Sequence, residues 1–204
     1  EEAVLRYSEV RSKFPYSKLA VEAQLRIADI QFKREYFVEA ASAYQIFREV
    51  NPKYSRLEYV IYKLGLSFYN QLPENNARDL SASKEALQYF AEYLQKYPQG
   101  SWAKEIRKKQ QTTYEKLADK EMYIANFYYK RKEFFSALGR YQKISDDFAF
   151  VKTAKKATLQ AIICALKLDY KDVAKKYFQV MRTRYPDSSE FREAQEQGES
   201  YGLF

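Results

Sequence analysis

The strongest constraint on the fold is a recurring triplet: an alanine, an aromatic residue four positions later, and a proline twelve positions after the alanine. Residues four apart lie on one face of a helix, so each small side chain and its ring can pack together against a neighbour. Proline disfavours continuation of a helix. The triplets are Ala3, Tyr7 and Pro15; Ala40, Tyr44 and Pro52; Ala86, Phe90 and Pro98; Ala137, Tyr141 and Ala149 in place of proline; and Ala174, Phe178 and Pro186.

A second column of small residues precedes most of these triplets and predicts a partner helix for each. Its members are Ala28, Gly65, Ala125 and Ala165. A small residue in one helix facing a ring from the next is typical of tetratricopeptide repeats, whose period is about 34 residues. The sequence therefore predicts an all-α, right-handed α-solenoid of about five tetratricopeptide hairpins. We expect the first repeat to be truncated, because Ala3 already occupies a second-helix position, and the natural chain to continue N-terminally.

The prolines and serines divide residues 1–204 into repeats of a single domain. The predicted segments are the second helix of repeat 1 (1–15), repeat 2 (17–52), repeat 3 (55–98), repeat 4 (101–149), repeat 5 (152–186) and a capping tail (188–204). Ser17, Ser55, Ser101 and Ser188 are the predicted N-caps, with Asp79 capping the second helix of repeat 3. Repeat 4 has neither glycine nor proline between Ser101 and Gly139, which predicts a first helix of about eight turns.

The composition argues against catalysis. The chain has no histidine, one cysteine (Cys164) and five scattered glycines. The usual general base, Cys–His zinc ligation and a glycine-rich phosphate loop are therefore all missing. We expect no enzyme activity, no cofactor and no metal. No apolar run is long enough to span a bilayer, and no signal-peptide pattern opens the chain.

The net charge of +8 raises the question of nucleic acid. Basic residues are spread among acids, apart from a run at Lys104, Arg107, Lys108 and Lys109. Such a run usually forms a solvated helix face. We expect no nucleic-acid partner, although a nucleic-acid-binding solenoid is a rival that predicts binding steeply weakened by salt.

Stacked helical hairpins present an extended surface lined mainly by their first helices, and this surface predicts a binding function. Seven residues, called here the N-terminal wall, fall on it: Leu25, Asp29, Phe32, Tyr59, Tyr62, Leu66 and Tyr69. Met122, Asn126 and Tyr129 continue the surface in repeat 4. An extended peptide with aromatic residues suits such a lining. The alternative is that these rings pack between neighbouring helices as core.

Arg131 and Arg140 are candidates for docking a protein partner. A guanidinium group offers planar, bidentate contacts to carboxylates. The alternative is that both arginines are solvated.

Several residues outside the repeat consensus resemble the BamD family of outer-membrane lipoproteins, with the match running from Ala3 to Ser188. They are Glu58-Tyr59-Val60 with Tyr62, Gly65 and Leu66; Arg78-Asp79; Tyr97-Pro98; Leu117-Ala118 with Glu121; and Tyr128-Tyr129 followed by Arg131 and Arg140.

The resemblance implies a scaffold of the β-barrel assembly complex on the periplasmic face of the outer membrane. It implies anchoring only through an N-terminal lipid, which we expect to be absent from this segment. It also implies that the C-terminal repeats, including Arg131 and Arg140, dock to a POTRA domain of BamA, and that other lipoproteins of the complex are partners. The N-terminal repeats would recognise the C-terminal signal of unfolded outer-membrane proteins. The rival is a tetratricopeptide adaptor for another periplasmic or cytoplasmic partner.

Overall fold

The computed structural model describes residues 2–203, which form ten α-helices and no strand. This confirms the all-α class and the helical-hairpin organisation. Residues 1 and 204, the outermost of the predicted ranges, lie outside the described part. The helices are α1 (Glu2–Lys13), α2 (Lys18–Lys33), α3 (Phe37–Val50), α4 (Leu57–Tyr69), α5 (Ser83–Lys96), α6 (Ala103–Lys130), α7 (Phe134–Asp147), α8 (Ala154–Lys167), α9 (Lys171–Arg184) and α10 (Ser189–Ser200).

The chain divides into two compact units, Glu1–Thr113 and Tyr114–Phe204. The first unit contains α1 to α5 and the start of α6; the second contains the rest of α6 and α7 to α10. At 28 residues, α6 has close to the predicted eight turns, at about 3.6 residues per turn. No helix among the described residues is both long and apolar enough to cross a membrane.

Three hairpin links use the same left-handed turn without glycine. Glu35, Lys132 and Asp169 have φ values of 63°, 62° and 57°. In each link the next amide donates to a carbonyl five residues back, as from Tyr36 to Gln31 at 3.0 Å. This is the hydrogen bond of a Schellman motif, which satisfies carbonyls at the end of the first helix. The repeated turn therefore closes each pair of helices within a few residues.

Most members of the two predicted columns of small residues lie buried between helices in each unit. In the first unit Ala28, Ala40 and Ala86 have no exposed surface. A Cβ atom added to Gly65 would lie 2.9 Å from Cδ1 of Phe90, so α4 and α5 approach too closely there for alanine without a shift. Rings from the triplets fill the space beside these positions, as predicted: Tyr44 and Phe90 are fully buried.

The second unit repeats the same packing. Ala125, Ala137, Ala165 and Ala174 are fully buried in its core. Tyr141 lies among them with no exposed surface. The alanine and aromatic columns therefore identify core positions in both units, but the prediction is wrong for the first triplet, where Ala3 is exposed and Tyr7 is only half-buried.

The predicted caps are correct only at two helices. Ser17 accepts a hydrogen bond from the amide of Ala20, and Ser188 accepts one from Phe191. The prediction for Asp79 is wrong: α5 begins at Ser83 behind Ala82, and Asp79 accepts the amide of Ser81 in the preceding turn at 2.9 Å.

The predicted caps at Ser55 and Ser101 are also wrong. Helix α4 begins at Leu57 behind Arg56, which makes no side-chain cap. Helix α6 begins at Ala103, and the amide of Ser101 donates to the carboxylate of Glu58 at 2.8 Å. A distant side chain thus organises this helix start.

Candidate peptide-binding and docking surfaces

Asp29 joins three helices through one carboxylate oxygen. Tyr44 of α3 and Tyr59 of α4 each donate a hydroxyl hydrogen bond to its Oδ1, both at 2.7 Å. Arg26 lies 3.8 Å from the other oxygen. Burial raises the pKa of both tyrosines, and the hydrogen bond to Asp29 raises it further. The hydroxyls therefore stay protonated, and Asp29 is a structural acceptor within the N-terminal wall.

Tyr62 is held by partners that the sequence did not indicate. Its ring stacks on Trp102 with centroids 4.7 Å apart and 13° between the planes. Its hydroxyl donates to Glu105 at 3.0 Å. Tyr59 also contacts Trp102, with centroids 5.8 Å apart. Trp102 and Glu105 thus extend the wall beyond the seven predicted residues.

Lys63 is the one described cation set among several wall rings. Its Nζ lies 3.8 Å from the centroid of the Phe32 ring. The centroids of Tyr59 and Tyr62 lie 5.8 Å and 5.9 Å away. Burial lowers the pKa of Lys63, against the opposing attraction of Asp29 and Glu105. No described carboxylate forms an ion pair with it. One oxygen of each nearby acid accepts a tyrosine hydroxyl instead.

The seven predicted wall residues lie at different depths. Leu25 has no exposed surface, and Tyr62 and Leu66 are 9% and 6% exposed. Asp29, Phe32, Tyr59 and Tyr69 are half-buried. Accessible aromatic surface on this wall therefore comes from Phe32, Tyr59 and Tyr69.

Tyr69 connects the wall with the basic run of α6. The Nζ of Lys109 lies 4.4 Å from its ring centroid. The same ring lies near Phe90, with centroids 6.1 Å apart and the planes tilted by 47°. One member of the basic run is therefore packed on an aromatic ring.

The corresponding residues of the second unit serve mainly in packing. Met122 is buried. Asn126 accepts the hydroxyl of Tyr141 at 2.7 Å, and Tyr129 packs edge-on against Phe134, with centroids 5.5 Å apart. These residues belong to, or pack against, the core of this unit.

Arg140 belongs to a charge cluster around Glu121. Its Nη1 lies 2.8 Å from one carboxylate oxygen of Glu121, and Nζ of Lys143 lies 2.7 Å from the other. Partial burial raises the pKa of Glu121, but the hydrogen bonds and charges of Lys143 and Arg140 outweigh it and lower the pKa overall. One carboxylate thus faces two cations, which leaves a positive surface on α7.

Arg131 contacts a different carboxylate. Its Nε lies 2.9 Å from Glu133, and its guanidinium group lies 5.3 Å from the Phe127 ring centroid. Its side chain is 61% exposed. The two predicted docking arginines therefore have separate partners.

The described residues contain no group of three histidine, cysteine, aspartate or glutamate side chains able to hold a metal ion. Cys164 is fully buried, and burial raises the pKa of its thiol to about 12. A thiol in that state is a poor nucleophile at neutral pH.

Comparison with known proteins identifies the family. The model of the family described as "YfiO: Outer membrane lipoprotein" matches residues 1–177. The chain belongs to the YfiO family of outer membrane lipoproteins. Membership confirms the predicted relationship and the outer-membrane location. The match includes the N-terminal wall, Arg131 and Arg140.

Relatives of this YfiO chain carry the name "Outer membrane protein assembly factor BamD". The protein from Neisseria meningitidis serogroup B is 29% identical over 195 residues, covering 91% of this chain and 73% of the relative. That from Rickettsia prowazekii is 25% identical over 188 residues, covering 92% and 74%. Among solved structures, the TPR2AB-domain:pHSP90 complex of yeast Sti1 is similar at a TM-score of 0.41 and 11% identity, covering 99% of this chain and 90% of that one.

Proposed function

We propose that this chain is a non-catalytic scaffold for the assembly of outer-membrane proteins, acting at the periplasmic face of the outer membrane. The observation that carries the proposal is the family match over residues 1–177, together with relatives named as outer-membrane protein assembly factors. Helical repeats stacked around shared cores are well suited to holding several proteins at once. Two surfaces, one in each unit, give the proposal its detail.

In the first unit, the N-terminal wall is proposed to recognise the C-terminal signal of unfolded outer-membrane proteins, which ends in an aromatic residue. Three half-buried rings support this: Phe32 on α2, and Tyr59 and Tyr69 on α4. The accessible part of each ring offers offset or edge-on contacts to an incoming ring. Alternate side chains of an extended peptide could then reach positions along α4.

Replacing Tyr69 with alanine should weaken binding of a peptide that ends in phenylalanine by about fivefold, close to 1 kcal/mol. The ring is half-buried and contributes contact area beside Lys109. Isothermal titration of the purified chain with a peptide of alternating apolar residues measures the effect. Tyr123→Ala is the matched control, since Tyr123 is a 62% exposed ring of the other unit. Equal affinity for Tyr69→Ala and the parent chain would contradict the assignment of the wall.

In the second unit, Arg131 and Arg140 are proposed to dock the periplasmic POTRA domain of BamA, with other lipoproteins of the complex as further partners. Arg140 supports this because Glu121 neutralises only part of the charge of Arg140 and Lys143. Arg131 supports it because most of its side chain is exposed. Both can offer donors to carboxylates of a partner.

Reversing the charge at Arg140 should weaken association with the BamA periplasmic domain by about tenfold, since a carboxylate on the partner would then be repelled. Surface plasmon resonance with Arg140→Glu measures this. Lys143→Glu is the control, because Lys143 contacts the same carboxylate and is 47% exposed, against 42% for Arg140. Both variants should keep their helical circular dichroism. Equal losses in the two variants would indicate a general charge effect and overturn the role given to Arg140.

A further inference from the structure

We infer that Lys63 binds the terminal carboxylate of the peptide held by the N-terminal wall. This inference rests on the proposed recognition of peptides in the first unit. It adds the residue that binds the C-terminal end of the peptide. Lys63 lies on α4 one turn after Tyr59, so its side chain shares the face of the wall.

The first argument is that Lys63 is a partly buried cation without an ion pair to any described carboxylate. A partly buried cation is costly unless a carboxylate or another dipole compensates it. The two nearby acids attract Lys63 without pairing with it, and each already accepts tyrosine hydroxyls at one oxygen: Asp29 from Tyr44 and Tyr59, and Glu105 from Tyr62. The ammonium group therefore keeps free donors, because rings attract a cation without accepting its hydrogen bonds in the manner of an oxygen.

The second argument is the set of rings around Lys63, called here the aromatic frame: Phe32, Tyr59 and Tyr62. Phe32 lies 3.8 Å from Nζ, measured to the ring centroid, and the rings of Tyr59 and Tyr62 stand beyond it. These rings take the place of water around part of the ammonium group. An anion approaching through the open side meets a partly dehydrated cation, which strengthens the attraction over that of a fully solvated lysine.

The third argument selects the ligand. The frame contains a single cationic charge, which the nearby Asp29 and Glu105 partly offset. This arrangement suits one carboxylate and disfavours a polyanion such as a nucleic acid. A C-terminal residue carries its carboxylate beside its own side chain, so a terminal ring could lie against Phe32 or Tyr59 while the carboxylate reaches Nζ. An internal Asp or Glu side chain is the other possible source of the same group.

The test is a thermodynamic cycle between ligand and protein. The peptides are a phenylalanine-terminated peptide with a free carboxylate, its C-terminal amide, and the amide with an internal glutamate. The proteins are the parent chain and Lys63→Met, which keeps an unbranched apolar stem and removes the charge. Lys109→Met is the control, because Lys109 also packs on a wall ring, at 4.4 Å from the Tyr69 centroid.

Amidation should weaken binding to the parent chain about tenfold. Lys63→Met should bind the free acid as weakly as the parent binds the amide, with no further loss on amidation. Lys109→Met should keep the parent's ratio of acid to amide affinity. Thermal melting followed by circular dichroism verifies that both variants are folded.

Four outcomes overturn the inference, and they differ in which part of the proposed recognition they leave intact. Equal binding of acid and amide to the parent chain removes the carboxylate site but keeps peptide recognition. An unchanged acid-to-amide ratio in Lys63→Met places the carboxylate elsewhere on the wall. Restoration of affinity by the internal glutamate, lost again in Lys63→Met, assigns Lys63 to an acidic side chain instead of the terminus. Failure of every peptide to bind the parent would remove the proposed recognition itself, and the inference with it.

Discussion

Replacing Asp29 with alanine is expected to lower the free energy of unfolding of the first unit by about 3 kcal/mol, because two tyrosine hydroxyls lose their acceptor at once. Tyr44 has no exposed surface, and Tyr59 is half-buried, so water cannot easily replace the carboxylate at both. The two hydrogen bonds also join α2 to α3 and to α4. Urea denaturation followed by circular dichroism measures the loss, and hydrogen exchange should locate it in these three helices.

Tyr44→Phe is the matched comparison. It removes one donor but leaves Asp29 paired with Tyr59 at 2.7 Å, so we expect a loss of about 1 kcal/mol. Adding Tyr44→Phe to Asp29→Ala should cost less than it does in the parent chain, since the hydroxyl it removes is already unpaired. If Asp29→Ala cost no more than Tyr44→Phe, Asp29 would not be the common acceptor on which the three helices depend.

The sequence was sufficient for the fold wherever packing follows a fixed spacing. Alanines at first-helix and second-helix positions repeat because two helices can approach closely only where side chains are small. Gly65 facing Phe90 shows the limit of that approach. Prolines beyond the second helices then indicated where most hairpins end. These signals are local, so they could be read without the structure.

Helix starts were harder to predict because a tertiary partner can replace a local cap. Glu58, 43 residues from Ser101 along the chain, accepts both the Ser101 amide and the Tyr93 hydroxyl. A Cβ atom added to Gly100 would overlap the Glu58 carboxylate and the Tyr93 hydroxyl. Nothing in the sequence around Ser101 indicates that Glu58 lies there.

The sequence predicted which helix face forms the candidate site, but not how deeply each of its residues is buried. Periodicity places Leu25 and Tyr59 on comparable positions, whereas Leu25 is fully buried and Tyr59 is half-buried. Trp102, in the turn before α6, stacks on Tyr62. Lys63 is not among the predicted residues of the N-terminal wall, because a lysine between aromatic residues is usually a solvated surface residue. Its spacing of four residues from Tyr59 was the available signal.

Replacing Tyr141 with alanine is expected to cost the second unit about 4 kcal/mol, in the range for deleting a fully buried aromatic ring. Tyr141 has no exposed surface and lies in a core with Ala125, Ala137 and Cys164. These neighbours are small, so they cannot expand to fill the cavity left by the ring. Hydrogen exchange of the α6, α7 and α8 segments, combined with urea denaturation, measures the loss.

Tyr141→Phe separates the ring from its hydroxyl. The hydroxyl donates to Asn126 at 2.7 Å, so its removal should cost about 1 kcal/mol. If Phe and Ala substitutions destabilised the unit equally, the hydrogen bond to Asn126 would dominate, and the packing role of the aromatic column would be wrong. A large difference instead means that the ring holds α6 and α7 together. In that case the helix carrying Arg140 owes its position to Tyr141, and Tyr141→Ala should weaken docking although Arg140 remains in the chain.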